Sequence, residues 1–279
     1  MSAIRHHFLP RVYLKRFASP KQRRLLWEFD KANDSFQEST PKKSGYCDNF
    51  YTFTNAQGQR DNETLEKKFH DIENRIPKFY EALRKEENPL SNETAFAFVL
   101  FAASMFIRVP KYLERVDFIE TQKMRTAFEQ ARKEEDFIAR AESVGVPRAV
   151  LDYARVEADP SYTLQKAIRG LEVAAIPFAQ MAWQFLKAPA GMYFITGDHP
   201  VVHCNPNIQH ALFEIGLEDS AIEVTFPLSR TMCAFGRWNE MQDRYRLVDA
   251  ETVQAINYRT WLAAGRYVYS PINGCQLWR

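Results

Sequence analysis

The chain has 279 residues, and 37 Lys plus Arg against 35 Asp plus Glu give a formal net charge of +2. An apolar fraction of 46% and a charged fraction of 26% exclude a disordered chain. The near-neutral balance excludes a ligand-binding role that rests on bulk positive charge. Aromatic residues make up 14%, which predicts a well-packed body that needs no covalent staples.

Residues 1–60 read as extended and turn structure. Leu25–Asp30 has strand character, Lys31–Asp34 is a polar turn, and Ser35–Glu38 suits a return strand. Phe50–Thr54 is a further strand-like run. From Asn62 to Lys85, Leu65, Phe69, Ile72, Ile76, Phe79, Tyr80 and Leu83 recur at helical spacing, and Pro77 kinks or divides that helix. Ser91 caps the next helix, an apolar one that ends near Val109-Pro110. A charged helix is predicted from Tyr112 to Glu142, a shorter segment over Pro147–Glu157, and another helix over Thr163–Leu186, bent at Pro177. Strands follow at Met192–Thr196, Val201–Cys204, Ile222–Phe226, Thr231–Phe235 and Tyr245–Val248. Asp249 then caps a helix through Ala264, and Arg266–Ser270 is a last strand. This order predicts an α+β fold. A central helical region packs on a mostly antiparallel sheet built from N- and C-terminal strands. With no composition break in sight, residues 1–279 are expected to form a single domain.

Cys47, Cys204, Cys233 and Cys275 lie far apart with no Cys-x-x-Cys pair, so neither a zinc framework nor a disulfide scaffold is expected. The first ten residues lack the apolar core of a signal peptide. The apolar run Ala95–Ile107 is shorter than the roughly 18 residues that cross a bilayer. These points suggest a cytoplasmic protein with free thiols and no membrane partner.

Several runs, taken in order, resemble a prokaryotic family, domain-of-unknown-function family 4238. They are His7-Phe8-Leu9-Pro10 with Tyr13-Leu14-Lys15-Arg16-Phe17, then Phe50-Tyr51, then the helical acids Glu66 and Ile72-Glu73. Arg108-Val109-Pro110, Ile195 to Val201 and Phe226-Pro227-Leu228-Ser229 complete the set. Gly197 and His199 depart from the family's usual Ser and Asn. The resemblance implies a fold family without an attached activity. A role in mobile-element or phage-defence systems is suggested by association alone.

His7 holds the family's histidine position, and imidazole is suited to proton transfer near neutral pH. It can equally anchor the N-terminal arm by a hydrogen bond. Glu66 and Glu73 share a helix face, roughly 10.5 Å apart along the axis, so both cannot bind one metal. A solvated face paired with Lys67, Lys68 and Arg75 explains these acids as well. Arg108 is the natural partner for Glu73, which sits at the edge of the apolar stripe. Asp198 follows an apolar strand, where sites gather, and can ligate a metal, act as a base or cap its own turn. The basic arm Arg11, Lys15, Arg16, Lys21, Arg23 and Arg24 is interleaved with Tyr13, Phe17 and Trp27. It suits phosphate contact and base stacking, or ordinary surface charge. The mixed charges of Lys111–Arg140 suit solvation or pairing with a second copy as a homodimer.

Two readings compete. In the first, the chain is a metal-dependent hydrolase of a phosphodiester, nucleic acid or nucleotide. His7, Glu73 and Asp198 would be catalytic, Glu66 and Asp198 would hold a divalent metal, and Arg16, Tyr13, Tyr51 and Arg108 would bind substrate. In the second, it is a non-catalytic binding or regulatory module whose polar residues form a structural network. The hydrolase reading requires these side chains to converge on one cleft.

Overall fold

A computed structural model of the chain describes residues 4–22, 24–55, 57–207 and 216–274. Arg23 of the basic arm and Cys275 lie outside the described residues. In chain order the structure runs through β1 (Arg5–His7), α1 (Arg11–Leu14), a 3-10 turn (Lys15–Phe17), β2 (Leu26–Asp30), β3 (Ser35–Ser39), β4 (Tyr46–Asp48), β5 (Phe53–Thr54) and β6 (Arg60–Asp61). The helical centre is α2 (Thr64–Glu73), α3 (Ile76–Arg84), α4 (Asn92–Ile107), α5 (Pro110–Ala131), α6 (Glu135–Ser143), α7 (Arg148–Leu151) and α8 (Pro160–Gln180). The final third contains β7 (Ala182–Lys187), β8 (Thr196–Gly197), β9 (Val202–Cys204), β10 (Glu223–Ser229), β11 (Met232–Arg237), β12 (Tyr245–Leu247), α9 (Ala250–Ala263) and β13 (Tyr267–Ser270).

The fold is α+β with mostly antiparallel sheets, as the element order predicts. Five strands run in the order β12-β7-β11-β10-β9, four in the order β3-β2-β13-β8, and β1 pairs with β4. The β2–β13 pairing, Leu26–Asp30 against Tyr267–Ser270, joins the first part of the chain to the last. One buried cluster extends from Phe8 to Tyr269 and takes in α4, whose Phe98, Phe101, Ala102, Met105 and Ile107 are sealed from solvent. Ser91 accepts from the Thr94 N–H at 3.2 Å, and Asp249 accepts from the Thr252 N–H at 2.8 Å, so both predicted caps are formed. Pro77 divides the Asn62–Lys85 helix as expected, standing in the first turn of α3. No single described helix is long and apolar enough to cross a membrane.

Four elements differ from expectation. Residues 182–186 form a central strand rather than the end of a helix. Phe178, Met181 and Phe185 recur at helical spacing, yet the chain turns extended at Met181 and Ala182–Lys187 pairs with β11. Most of the Met192–Thr196 run carries no ladder, because Asn257 of α9 takes its place. The Asn257 amide bonds the Ile195 N–H (3.0 Å) and the Tyr193 carbonyl (2.8 Å). At Phe50–Thr54 only the last two residues are strand, since Asn49 (φ 57°) begins a turn closed by the Thr52 N–H. The charged helix is broken into α5 and α6 by a turn over residues 132–134.

Candidate anion-binding cleft and the polar network beside it

The family-like N-terminal run folds by a simple periodic rule. Pro10 opens α1, and its carbonyl accepts the Tyr13 and Leu14 N–H groups, both at 3.0 Å. Tyr13, Leu14 and Phe17 then point into the core. Arg11 and Lys15, four residues apart, are exposed together, and Val12 and Arg16 share the adjoining half-buried stripe. Two other segments face this helical turn. The turn at Thr40, where the Lys43 N–H donates to the Thr40 carbonyl (2.8 Å), brings up Pro41 and Lys42. The β10–β11 hairpin brings up Ser229, Arg230 and Thr231. It is locked to the N-terminal turn by the Arg230 N–H on the Arg16 carbonyl (3.1 Å) and the Arg230 guanidinium on the Ala18 carbonyl (3.2 Å).

The result is a cleft of about 980 Å³ whose charged walls are Arg11, Lys15, Arg16, Arg24, Lys42 and Arg230. Among the described residues no carboxylate lines it and none of the six cations forms a salt bridge. Arg16 rests on the Tyr80 ring, 3.9 Å from its centroid, which holds the guanidinium without neutralising it. The apolar lining is Val12, Ala18, Pro20 and Pro41, with no aromatic ring among the lining residues. Sequence reasoning had the basic arm but not Lys42 or Arg230. Arg230 directly follows the Phe226–Ser229 run, the one local hint of its place.

The residues expected to touch substrate are mostly core. Tyr13 is fully buried, its hydroxyl donating to the Pro227 carbonyl and accepting from the Thr196 hydroxyl, both at 2.7 Å. Tyr51 is also fully buried and donates to the Arg108 carbonyl at 2.9 Å. Arg108 is only 1% exposed. Its guanidinium bonds Glu73 Oε1 (2.9 Å), the His7 carbonyl (2.6 Å) and the Tyr51 hydroxyl (3.3 Å), and lies 4.3 Å from the Phe69 ring centroid. All three side chains are buried and bonded to partners within the protein, which places them in the core and not on the wall of the basic cleft. Of the four proposed substrate contacts, Arg16 alone lines the basic cleft. Phe17 is buried too, which removes a second expected stacking wall.

Alternation along β1 sends its two histidines to opposite sides. His6 is buried and accepts the Tyr51 N–H at Nδ1 (2.9 Å). His7 is half-buried, its Nε2–H donating to the Lys42 carbonyl at 3.4 Å beside the Tyr46 ring. Burial lowers the pKa of His7, the Lys42 carbonyl opposes that, and Arg11 lowers it further. Glu73 and Arg108 also lie within electrostatic reach of His7. Glu66 has His6, Arg108 and Glu73 as electrostatic neighbours, and its own half-burial raises its pKa.

Asp198 has partners of its own. Its carboxylate accepts the Gly265, Arg266 and Tyr267 N–H groups at 2.7, 2.7 and 2.8 Å, which clasps the α9–β13 turn. Asp198 thus serves a turn, but a distant one in the chain and not its own as the Asx-turn alternative had it. Among the described residues no group of three or more His, Cys, Asp or Glu side chains is placed to hold a metal ion. Cys47, Cys204 and Cys233 are free thiols.

The architecture is thus an α+β scaffold with a carboxylate-free cationic cleft against a buried His–Tyr–Arg–Glu network. A model of the family described as "Protein of unknown function (DUF4238)" matches residues 5–272, and the chain belongs to that family. No curated protein and no solved structure matches it.

Proposed function

We propose that this protein is a binding module for a phosphate-bearing ligand, a nucleic acid or nucleotide, and that the polar network around Arg108 is structural. The observation that carries this reading is the set of six cations in one cleft without a carboxylate. Like charges held together repel one another and weaken the fold, so such a cleft fits best with an anion that neutralises it. The absence of lining aromatic rings favours contact through phosphates over base stacking. The test is fluorescence anisotropy of a labelled oligonucleotide across salt from about 50 to 200 mM. Binding should weaken steeply with salt. Lys15→Glu and Lys42→Glu, both at exposed positions, should each weaken it and lower the log–log salt slope by about 1. Salt-independent binding, or variants that bind like wild type, would remove the basis for the proposal.

A hydrolytic reading keeps one specific support. His7 lies within electrostatic reach of both Arg11 of the cleft and Glu73, and burial favours its neutral form. With the Nε2–H donated to Lys42, Nδ1 retains a lone pair that can accept a proton. Turnover of RNA, DNA or nucleotides that is lost in His7→Ala but kept in Lys21→Ala would establish it. Turnover of none of them leaves the binding module as the sole reading.

A further inference from the structure

A second cavity, about 730 Å³, opens on the other side of the turn that brings Lys42 to the basic cleft. Consecutive residues divide between the two spaces. Thr40, Pro41 and Lys42 line the cationic cleft, and Lys43, Ser44, Gly45, Tyr46 and Cys47 line the second cavity. A single short segment is therefore the shared wall. The two interiors differ in chemistry. The second has opposite charges in balance, with Lys43, Lys111 and Arg266 against Glu28, Glu114 and Asp198. It also has an aromatic lining that the first lacks, in the half-buried rings of Tyr46 and Tyr267, with Phe8 and Tyr269 buried behind them. On its wall the Gln37 amide donates to the Glu28 carboxyl across the β2–β3 pair, an amide and a carboxyl set side by side. Gln37 is exposed and Glu28 buried, so a ligand can approach that edge from the open side.

Resting on the phosphate-binding reading above, we propose that the ligand is a nucleotide unit whose base and sugar enter this tyrosine-lined cavity while its phosphates lie in the cationic cleft. The cavity has the size of an ordinary small-molecule site. Flat rings suit the faces of a base, and a side-chain amide beside a carboxyl matches the donor–acceptor edge that bases display. In the second cavity three cations are matched by three acids, whereas the first offers an anion cations alone. A ligand with one uncharged, flat, hydrogen-bonding end and one polyanionic end satisfies both.

The experiment is calorimetric titration of the full chain with ATP and, separately, inorganic tripolyphosphate, which carries a similar charge without a base. Variants are Gln37→Ala, the space-filling Gln37→Trp and Lys42→Glu, each checked for an unchanged melting transition. ATP should bind wild type roughly tenfold more tightly than tripolyphosphate, the scale of one base–aromatic stack. Gln37→Trp should abolish that preference and Gln37→Ala should reduce it, with tripolyphosphate affinity unchanged in both. Lys42→Glu should weaken both ligands. Equal binding of the two ligands, still weakened by Lys42→Glu, overturns the base cavity and leaves the phosphate cleft standing. A preference for ATP that neither Gln37 variant alters also overturns it. Binding of neither ligand, or indifference to Lys42→Glu, overturns the phosphate cleft and this inference with it.

Discussion

Arg108 shows what one residue does in this protein. Its guanidinium is out of water, and its fixed partners are one carboxylate, one carbonyl and one phenol. Removing one member of such a pair leaves the other charge buried alone, at a cost of about 3–5 kcal/mol. Arg108→Met and Glu73→Gln should each lower the urea midpoint strongly, and Arg108→Lys should rescue little because ammonium cannot reproduce the planar fork. An Arg108→Met chain as stable as wild type would mean the network adds nothing to folding. Asp198→Ala should cost about 3 kcal/mol, since it strands three backbone N–H groups at the α9–β13 turn. At this scale the sequence was half legible. The Arg108–Glu73 pair followed from an acid at the edge of an apolar stripe. The core placement of Tyr13 and Tyr51 did not, because a phenol reads the same whether its hydroxyl meets a carbonyl or a ligand. A metal site is illegible from sequence for a similar reason. Glu66 and Asp198 are plausible ligands by type, but only tertiary structure says whether two acids meet.

Among the elements, the turn between β3 and β4 has the narrowest tolerance. Gly45 has φ +66°, and a Cβ there would lie 2.7 Å from Leu9 Cβ. Its carbonyl accepts the Leu9 N–H at 3.1 Å, which ties the turn to the start of the N-terminal arm. Gly45→Ala combines a left-handed backbone with a steric clash, and should cost about 1–3 kcal/mol in chemical denaturation. Gly58, also at positive φ but with open space around it, should tolerate Ala better. Helices were read well where caps and prolines punctuate them, as at Ser91, Pro77 and Asp249. Strand β7 was not, because a short apolar run fits either period and only pairing with β11 decides. The shortened strand before β8 had no local signal at all, since its hydrogen bonds are supplied by Asn257, more than sixty residues away in the chain.

For the whole molecule, acid stability follows from its buried histidines. Burial lowers the pKa of His199 to about 3, chiefly by desolvation, and lowers that of His7 as well. Both groups have folded values below the unfolded 6.5, so the unfolded chain binds more protons in between. Their contribution is fully present above about pH 6.5 and is lost as pH falls toward the folded values. Glu28 and Glu66, whose pKa values burial raises, act in the opposite sense near the carboxylate range. The difference between wild type and His199→Gln isolates the effect. From pH 7 to pH 5 wild type should lose stability, and His199→Gln should lose less, the two slopes differing by an amount approaching one proton as read from urea midpoints at each pH. Parallel curves for the two chains would show that His199 does not sense acid.

The cationic cleft also has an order of arrival. Five of its six cations precede residue 43, and the sixth, Arg230, comes with the β10–β11 hairpin that closes against Arg16 and Ala18. The strand that completes the neighbouring sheet, β13, comes later still. The five N-terminal cations therefore share a shaped cleft with Arg230 only when a hairpin 212 residues beyond Ala18 packs against them, so the cleft reports long-range closure of the fold and not the local conformation of the basic arm.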